Sequence, residues 1–390
     1  MTHFLPARVL AIDAFRGITI LIMIFVNTLS GVRGMPSWLE HAPAGVDGMT
    51  LPDVVFPAFL FIVGMSVPFA MAQRAAVGDN GWQIARRVLA RAAGLLVLGV
   101  FMVNAEDGYN EAAMGMSIHL WSLLFYACAI LVWAVYRLEN RLLAIALRAA
   151  GLAGLLALGL AYRGGPDGNL RLAPQWWGIL GLIGWAYLYA ALAWAVTRGR
   201  LLPLTVLMLA CTAYYCVAGA EAAQSGNAVH ASIALCGMLT ARIFFGGGAL
   251  ASPTAPIVRA SFVRALLLAL GLALLAWLLR PYFRISKIAA TPSWALYSSA
   301  ICVLLFAALY WLVDLKRRHS WTAFFRPAAA NPLLVYIIPF IIYALMQCLH
   351  WSFPGVLGAG WPGFLWAVVY AVLVMALAAG LNRMHIKLQL

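Results

Sequence analysis

Apolar residues run in blocks of about 20 along the whole chain, each long enough to cross about 30 Å of hydrocarbon as a helix. Twelve such runs occur, at 12–32, 51–73, 86–104, 117–136, 142–162, 176–196, 201–219, 231–249, 261–280, 293–313, 331–350 and 362–381. In lipid only helices and closed barrels satisfy their own backbone polar groups. The alternating ten-residue pattern of a membrane barrel is absent. The pattern therefore predicts an all-α polytopic transmembrane bundle of about 12 spans (10–12), with residues 1–390 forming one integral-membrane domain. Between the first two runs lies a polar, proline-rich stretch, "NTLSGVRGMPSWLEHAPAGVDGMTLPDVVFPAF", with His41 near its middle.

Charge adds an orientation. Arginine and lysine collect after every second run: Arg8 and Arg16, then Arg74, Arg86, Arg87 and Arg91, and so on to Lys316, Arg317, Arg318 and Arg326, and finally Arg383 and Lys387. The alternate loops hold most acidic residues, including Glu40, Asp47, Asp53, Glu106, Asp107, Glu111, Asp167 and Glu221. By the positive-inside rule both termini are expected in the cytoplasm and the His41 stretch outside. One loop dissents, because Arg280, Arg284 and Lys287 fall on the outer side.

Composition agrees with this assignment. The chain is 65% hydrophobic and 10% charged, with mean hydropathy +0.92, too little polar surface for a soluble globule of 390 residues. The net charge of +14 then reads as topology and attraction to anionic lipid, and nucleic acid is not an expected partner. The first run is long and lacks a small-residue cleavage site, so it is expected to stay as a span. All six cysteines lie in or beside apolar runs without a CxxC pair, which predicts neither disulfides nor a zinc site.

Ionisable residues inside spans are costly and commonly mark a pathway or a site. Asp13 and Arg16 are three apart and predict an ion pair on one helix face. Asn27 returns to nearly that face about 16 Å further along. This stripe is either functional or a snorkelling arginine with a helix-end amide. In the second run Pro57 cannot donate to the carbonyl of Asp53, which leaves either a plain kink or a polar opening. His3, His319 and His385 fall on the expected cytoplasmic side, and His41, His119, His230 and His350 near outer ends. For His41, Glu40, Asp47 and Asp53 are each able to accept a ring N–H and set the tautomer; an interfacial loop histidine without chemistry is the alternative. No metalloprotease, nucleophile-elbow, P-loop or dinucleotide-binding motif is present.

"AIDAFRGITILIMIFVN", the short loop with His41, and "GMTLPDVVFPAFLFIVGMS" together resemble the core of the heparan-α-glucosaminide N-acetyltransferase family, including its bacterial NagX-type inner-membrane members. "HASIALCGMLTARIF", "ISKIAATPSWALYSSAI" and "FFRPAAANPLLVYI" are similar to later spans of that family in the same order. The resemblance implies an enzyme that takes the acetyl group of cytoplasmic acetyl-CoA and places it on the amine of a glucosamine-type sugar across the membrane. No metal is implied. His41 then corresponds to the catalytic histidine and Asn27 to its assisting asparagine, with Asp53 beside them. Arg16, Arg86, Arg87, Arg242 and Arg318, with Asn331, are candidates for the coenzyme, since guanidinium groups match phosphates; ordinary positive-inside arginines are the alternative. Asp47, Lys287 and Trp294 are candidates for the acceptor, against interface anchoring for the last two. The resemblance further implies a bacterial inner membrane, a periplasmic active-site loop and a homodimer. It departs in lacking a large lumenal domain before the first core span and in an added helical hairpin over 117–162.

A thioester is already activated, so such a protein must juxtapose acyl carbon and amine, remove a proton and stabilise an oxyanion. A histidine serves either as base, typically worth about 10²–10⁴ in rate, or as acetyl carrier. The competing expectation is a transporter of an amino sugar or other small solute, with Asp13, Arg16 and Asp53 as a proton relay. The absence of a second copy of the "FRG…VN…H…VVFP" pattern weighs against it.

Overall fold

The computed structural model describes residues 9–246 and 255–390, and among these the ordered elements are helices. In chain order they are α1 (Leu10–Leu29), α2 (Leu51–Ala76), α3 (Gly81–Glu106), the short α4 (Glu111–Met114), α5 (Ile118–Trp133), α6 (Arg141–Ala161) and α7 (Gly178–Thr197). Then follow α8 (Leu201–Ala218), α9 (Ser225–Phe245), α10 (Ala255–Leu279), α11 (Pro292–Tyr310), α12 (Arg326–Ala330), α13 (Pro332–Cys348) and α14 (Gly360–Arg383). Each of the twelve apolar runs thus contributes a helix. Ten of those described are long and apolar enough to cross a membrane. Two differ from the expected plain span: α5 is shorter, and α13 is the second arm of a pair bent by 74° at Asn331. α5 and α6 pack on each other, so 117–162 does form a helical hairpin.

Lipid offers helices no hydrophobic drive to associate, so close packing of small residues takes its place. α2 and α9 meet in this way at the centre. A methyl group on Gly64 would overlap the carbonyl of Ala234, and one on Gly237 the carbonyl of Phe61, so the two backbones are in direct contact. Gly99 on α3 meets Gly181 on α7 likewise. Gly64→Val is therefore expected to destabilise the bundle by more than the usual overpacking cost of about 1–3 kcal/mol, because backbone cannot rotate aside. Thermal unfolding in detergent checks this, and a wild-type melting temperature for Gly64→Val would refute it.

The start of α1 and the end of α14 lie at the same end of the bundle. Asp314, in the turn after α11, accepts from the Leu10 and Ala11 N–H groups at 3.2 and 2.8 Å and caps α1. Arg16 donates to the Ala329 carbonyl at 3.3 Å, and Asn382 to that of Pro327 at 3.0 Å. The expected Asp13–Arg16 pair is present at 3.6 Å.

Candidate active site at the start of α2

The stretch "TLPD" carries a helix-start signal: Thr50 is the N-cap, proline follows within the first turn, and Asp53 is the third helical residue. Asp53 reaches back to the helix end. Its Oδ2 accepts from the backbone N–H groups of Thr50 and Ala42, both at 3.1 Å, and its Oδ1 receives His41 Nδ1 at 2.7 Å. Asp53 is 1% exposed, so these donors and the helix N-terminus replace water around a buried carboxylate. The hydroxyl of Thr50 bonds the Glu40 carbonyl at 2.6 Å and ties the His41 loop to the same point.

An ionised carboxylate only accepts, so Nδ1 of His41 carries the proton and Nε2 the lone pair. His41 is held at one edge and is 38% exposed at its side chain. This is the oriented imidazole that base or nucleophilic catalysis needs. Of the three acids that were able to face His41, Asp53 is the one that does. Glu40 is exposed, and Asp47 is engaged elsewhere.

Behind Asp53, Pro57 lacks the N–H that would bond the Asp53 carbonyl. The indole N–H of Trp294 takes that place at 3.0 Å. Trp294 is fully buried, and His230 sits edge-on to both Trp294 and Phe56 at ring distances of 5.9 and 5.3 Å. The indole of Trp294 thus supports the first turn of α2 from inside the bundle, and α2 remains one helix through Pro57 and Pro68.

The loop between α10 and α11 accounts for the charges that depart from the expected pattern of alternation. Arg280 Nε donates to Asp47 Oδ2 at 2.9 Å, the Ile285 N–H to Asp47 Oδ1 at 2.8 Å, and Arg284 to the Gly45 carbonyl at 3.3 Å. Arg280 and Arg284 are thereby spent on clamping this loop against the His41 loop. Lys287 lies against the imidazole, with Nζ 3.3 Å from Nδ1 and 3.5 Å from Nε2 of His41. Burial holds its amine below the ordinary lysine range, partly offset by the charge of Asp53.

The Ile285 N–H, followed by the Arg280 guanidinium, holds the Asp47 carboxyl below the usual carboxylate range. A depressed carboxyl contributes stability above its unfolded pKa and loses it as pH falls through the lower folded value. Pepsin cleavage within 280–291 should accordingly rise only as pH drops well below about 4. Asp47→Asn should already be cleaved at pH about 4, where the wild type still resists; equal cleavage of both proteins at that pH would contradict the clamp.

Asn27 is exposed at the end of α1, and no hydrogen bond joins it to His41. It lines a cavity of about 530 Å³ with Thr28, Tyr336, Tyr343, Gln347 and Trp366 among the walls. At the opposite end of the same helix Arg16 lines a second cavity, of about 460 Å³, with Ser66, Arg91, Tyr187, Tyr336 and Lys387. Tyr336 is a wall of both cavities, one of which touches α1 at Arg16 and the other at Met23, Ile24, Asn27 and Thr28. The Arg16–Asn27 stripe expected from spacing is therefore a cavity-lining face.

Of the arginines considered for a coenzyme, Arg16 alone lines that second cavity. Arg86 and Arg318 are exposed, and Arg87 pairs with Asp79 at 3.2 Å. Arg242 sits in the last turn of α9 with a buried, unpartnered Nε. Asn331 is buried and holds the chain end, donating to Asn382 Oδ1 at 3.2 Å and the Ile386 carbonyl at 3.1 Å and accepting from the Leu388 N–H at 3.2 Å. Sequence reasoning passed over Arg91, Lys387 and Thr50. Only Thr50 carries a local signal, the capping box.

A bundle of apolar helices with a carboxylate-oriented histidine in a loop at one end is the architecture of an integral membrane protein. The chain belongs to the family described as "Domain of unknown function (DUF5009)", which it matches over residues 8–240, a stretch that includes His41 and Asp53 and ends before Lys287. It is 33% identical over 100 residues to heparan-alpha-glucosaminide N-acetyltransferase of Homo sapiens, covering 26% of this chain and 14% of that protein. With the enzyme of the same name from Mus musculus it shares 31% over 97 residues, covering 25% and 14%. The chain thus spans only about a seventh of the length of either relative that it matches.

Proposed function

We propose that this chain is a membrane acetyltransferase that moves an acetyl group from acetyl-CoA to the amine of a glucosamine-type sugar. The observation that carries the reading is the His41–Asp53 pair: a buried carboxylate fixes the imidazole tautomer and leaves the Nε2 lone pair for the reaction. The similarity to a named N-acetyltransferase supports the same chemistry.

In this reading the donor enters at the cytoplasmic end, where Arg16, Arg91 and Lys387 offer positive charge around a cavity that mixes apolar walls with Ser66, Gln389 and two tyrosines. Its acyl arm runs along α1 past Tyr336 toward Asn27, whose amide donates to the thioester carbonyl. Arg16 to Asn27 spans about 16 Å of helix, so the coenzyme itself need not cross. His41 removes the amine proton or first accepts the acetyl group. Both termini face the cytoplasm and the His41 loop the periplasm of a bacterial inner membrane, and the protein works as a homodimer.

The test is reconstitution of the purified full chain with radiolabelled acetyl-CoA and glucosamine. Label in N-acetylglucosamine supports the reading. Accumulation of glucosamine inside vesicles without acetyl-CoA, and no acetylated product with it, would replace it with transport.

A further inference from the structure

We propose that Lys287 is itself an acetylation site, an internal amine that takes the acetyl group at His41 when no acceptor sugar is bound. This rests on the acetyltransferase reading of the His41 site.

The first support is position. Lys287 Nζ is 3.5 Å from His41 Nε2, a few tenths of an ångström beyond the roughly 2.6–3.2 Å at which a positioned base takes a proton. Nζ is almost equidistant from the two ring nitrogens, so it lies beside the ring and not on the axis of either one. A primary amine therefore stands against the imidazole, and a small side-chain rotation onto the Nε2 axis is needed before that nitrogen can take its proton.

The second support is that this position is built. The residues around Lys287 form a tight turn, in which the Ala290 N–H bonds the Lys287 carbonyl at 3.0 Å and the Thr291 N–H the Ser286 carbonyl at 3.1 Å. Ser286 N–H also meets Thr291 Oγ1 at 3.0 Å, and Tyr215 holds the Ala289 carbonyl at 3.0 Å. Through Ile285 the turn is anchored to Asp47 and Gly48 in the His41 loop. A free surface lysine would sample many rotamers at a cost of about 2 kcal/mol to immobilise, whereas this one starts from a fixed backbone against a fixed ring.

The third support is chemical. Among the described residues no carboxylate lies within ion-pair distance of Lys287, unlike Arg280 in the same loop. The charge of Asp53 favours the ammonium, but burial outweighs it and shifts the nitrogen toward the neutral amine that can attack a carbonyl. The chain also uses lysine sparingly. Only three of its 26 basic residues are lysines, Lys287, Lys316 and Lys387. An arginine at 287 would have supplied charge without a nucleophile, as it does at 280 and 284.

The step balances without a further reactant. The neutral Nζ attacks the acetyl carbon of the acyl-CoA thioester, one N–C bond forms, and the C–S bond breaks. The amine proton passes through His41 Nε2 to the departing sulfur, leaving an N-acetylated Lys287 and free coenzyme thiol. If His41 first carries the acetyl group, Nζ takes it from Nε2 and the same products result. The modified lysine has lost its charge and fills the acceptor position, so the consequence is a site silenced by its donor when sugar is scarce.

The experiment uses the purified full chain in nanodiscs, incubated with trideuteroacetyl-CoA alone and mapped by mass spectrometry, the deuterium separating new acetyl groups from any acquired in the cell. Acceptor acetylation is measured on the same preparation. The inference expects deuterated acetyl on Lys287 well above Lys316 and Lys387, and protection of Lys287 by glucosamine. His41→Ala should lower Lys287 labelling by about 10² or more, the usual worth of a positioned base. In Lys287→Arg, which keeps the charge, label in that peptide should vanish. Equal labelling of all three lysines, or labelling indifferent to His41→Ala, would mean non-enzymatic acetylation and overturn the proposal. Acetylated glucosamine with an unlabelled Lys287 overturns it while leaving the proposed function standing. Neither product forming brings down both.

Discussion

His41→Ala is expected to lower acetyl transfer to glucosamine by about 10²–10⁴ if the imidazole acts as base, and to background if it carries the acetyl group. The side chain is partly exposed and its one strong bond is to Asp53, so folding should survive. The truncation nevertheless leaves Asp53 Oδ1 without a partner, a loss of about 1–3 kcal/mol for a buried acceptor. His41→Asn separates the two effects. Its amide nitrogen matches Nδ1 and restores a donor to Asp53, yet it supplies neither base nor nucleophile. Turnover should fall as far as in the alanine variant, while thermal stability stays nearer wild type. The apparent KM for acetyl-CoA should change little in either, because the cations of the Arg16 cavity lie at the other end of α1. Near-normal turnover in His41→Asn would remove the imidazole from the mechanism.

Asp53→Asn should be almost as damaging although it alters one atom. Three N–H groups converge on this carboxylate, from His41, Ala42 and Thr50. An amide offers one oxygen, which the two backbone donors claim because they cannot move. Its NH₂ group then faces Nδ1, the imidazole turns to the opposite tautomer, and Nε2 carries a proton where a lone pair is needed. The corresponding carboxylate-to-amide change in a serine-protease triad costs on the order of 10⁴ in kcat, and a loss of about 10²–10⁴ is expected here. The helix start loses a charge favourable to its dipole, typically about 0.3–1 kcal/mol. A kcat within a few-fold of wild type, measured on protein of normal melting behaviour, would show that the pair is structural.

Much of this architecture is legible along the chain. The bilayer is a slab of fixed thickness, so about 20 apolar residues read as a helix without knowledge of neighbours. Local rules likewise reach the Asp13–Arg16 pair, the Arg16–Asn27 face and, through "TLPD", the turn that presents Asp53. They stop at the partner of His41. Glu40, Asp47 and Asp53 lie within a dozen residues of it, and nothing in their spacing distinguishes them. The choice falls to Asp53 because Asp47 is drawn away by Arg280, 233 residues distant. Trp294 shows the same limit: a candidate for the acceptor, with interface anchoring as the alternative, it is fully buried and its indole completes the hydrogen bonding of the start of α2.

By itself, then, the sequence determined that this protein is a bundle of membrane helices with a histidine-bearing loop at one mouth. Only the tertiary structure decided that Asp53 orients His41, that Lys287 lies against the ring from 246 residues away, and that Arg91 and Lys387 stand with Arg16 around one cavity. Hydropathy and helix period act over a few turns and survive in one dimension. The site is set by which helices pack together, and in α2 and α9 that depends on glycine backbones that meet only once the chain has folded.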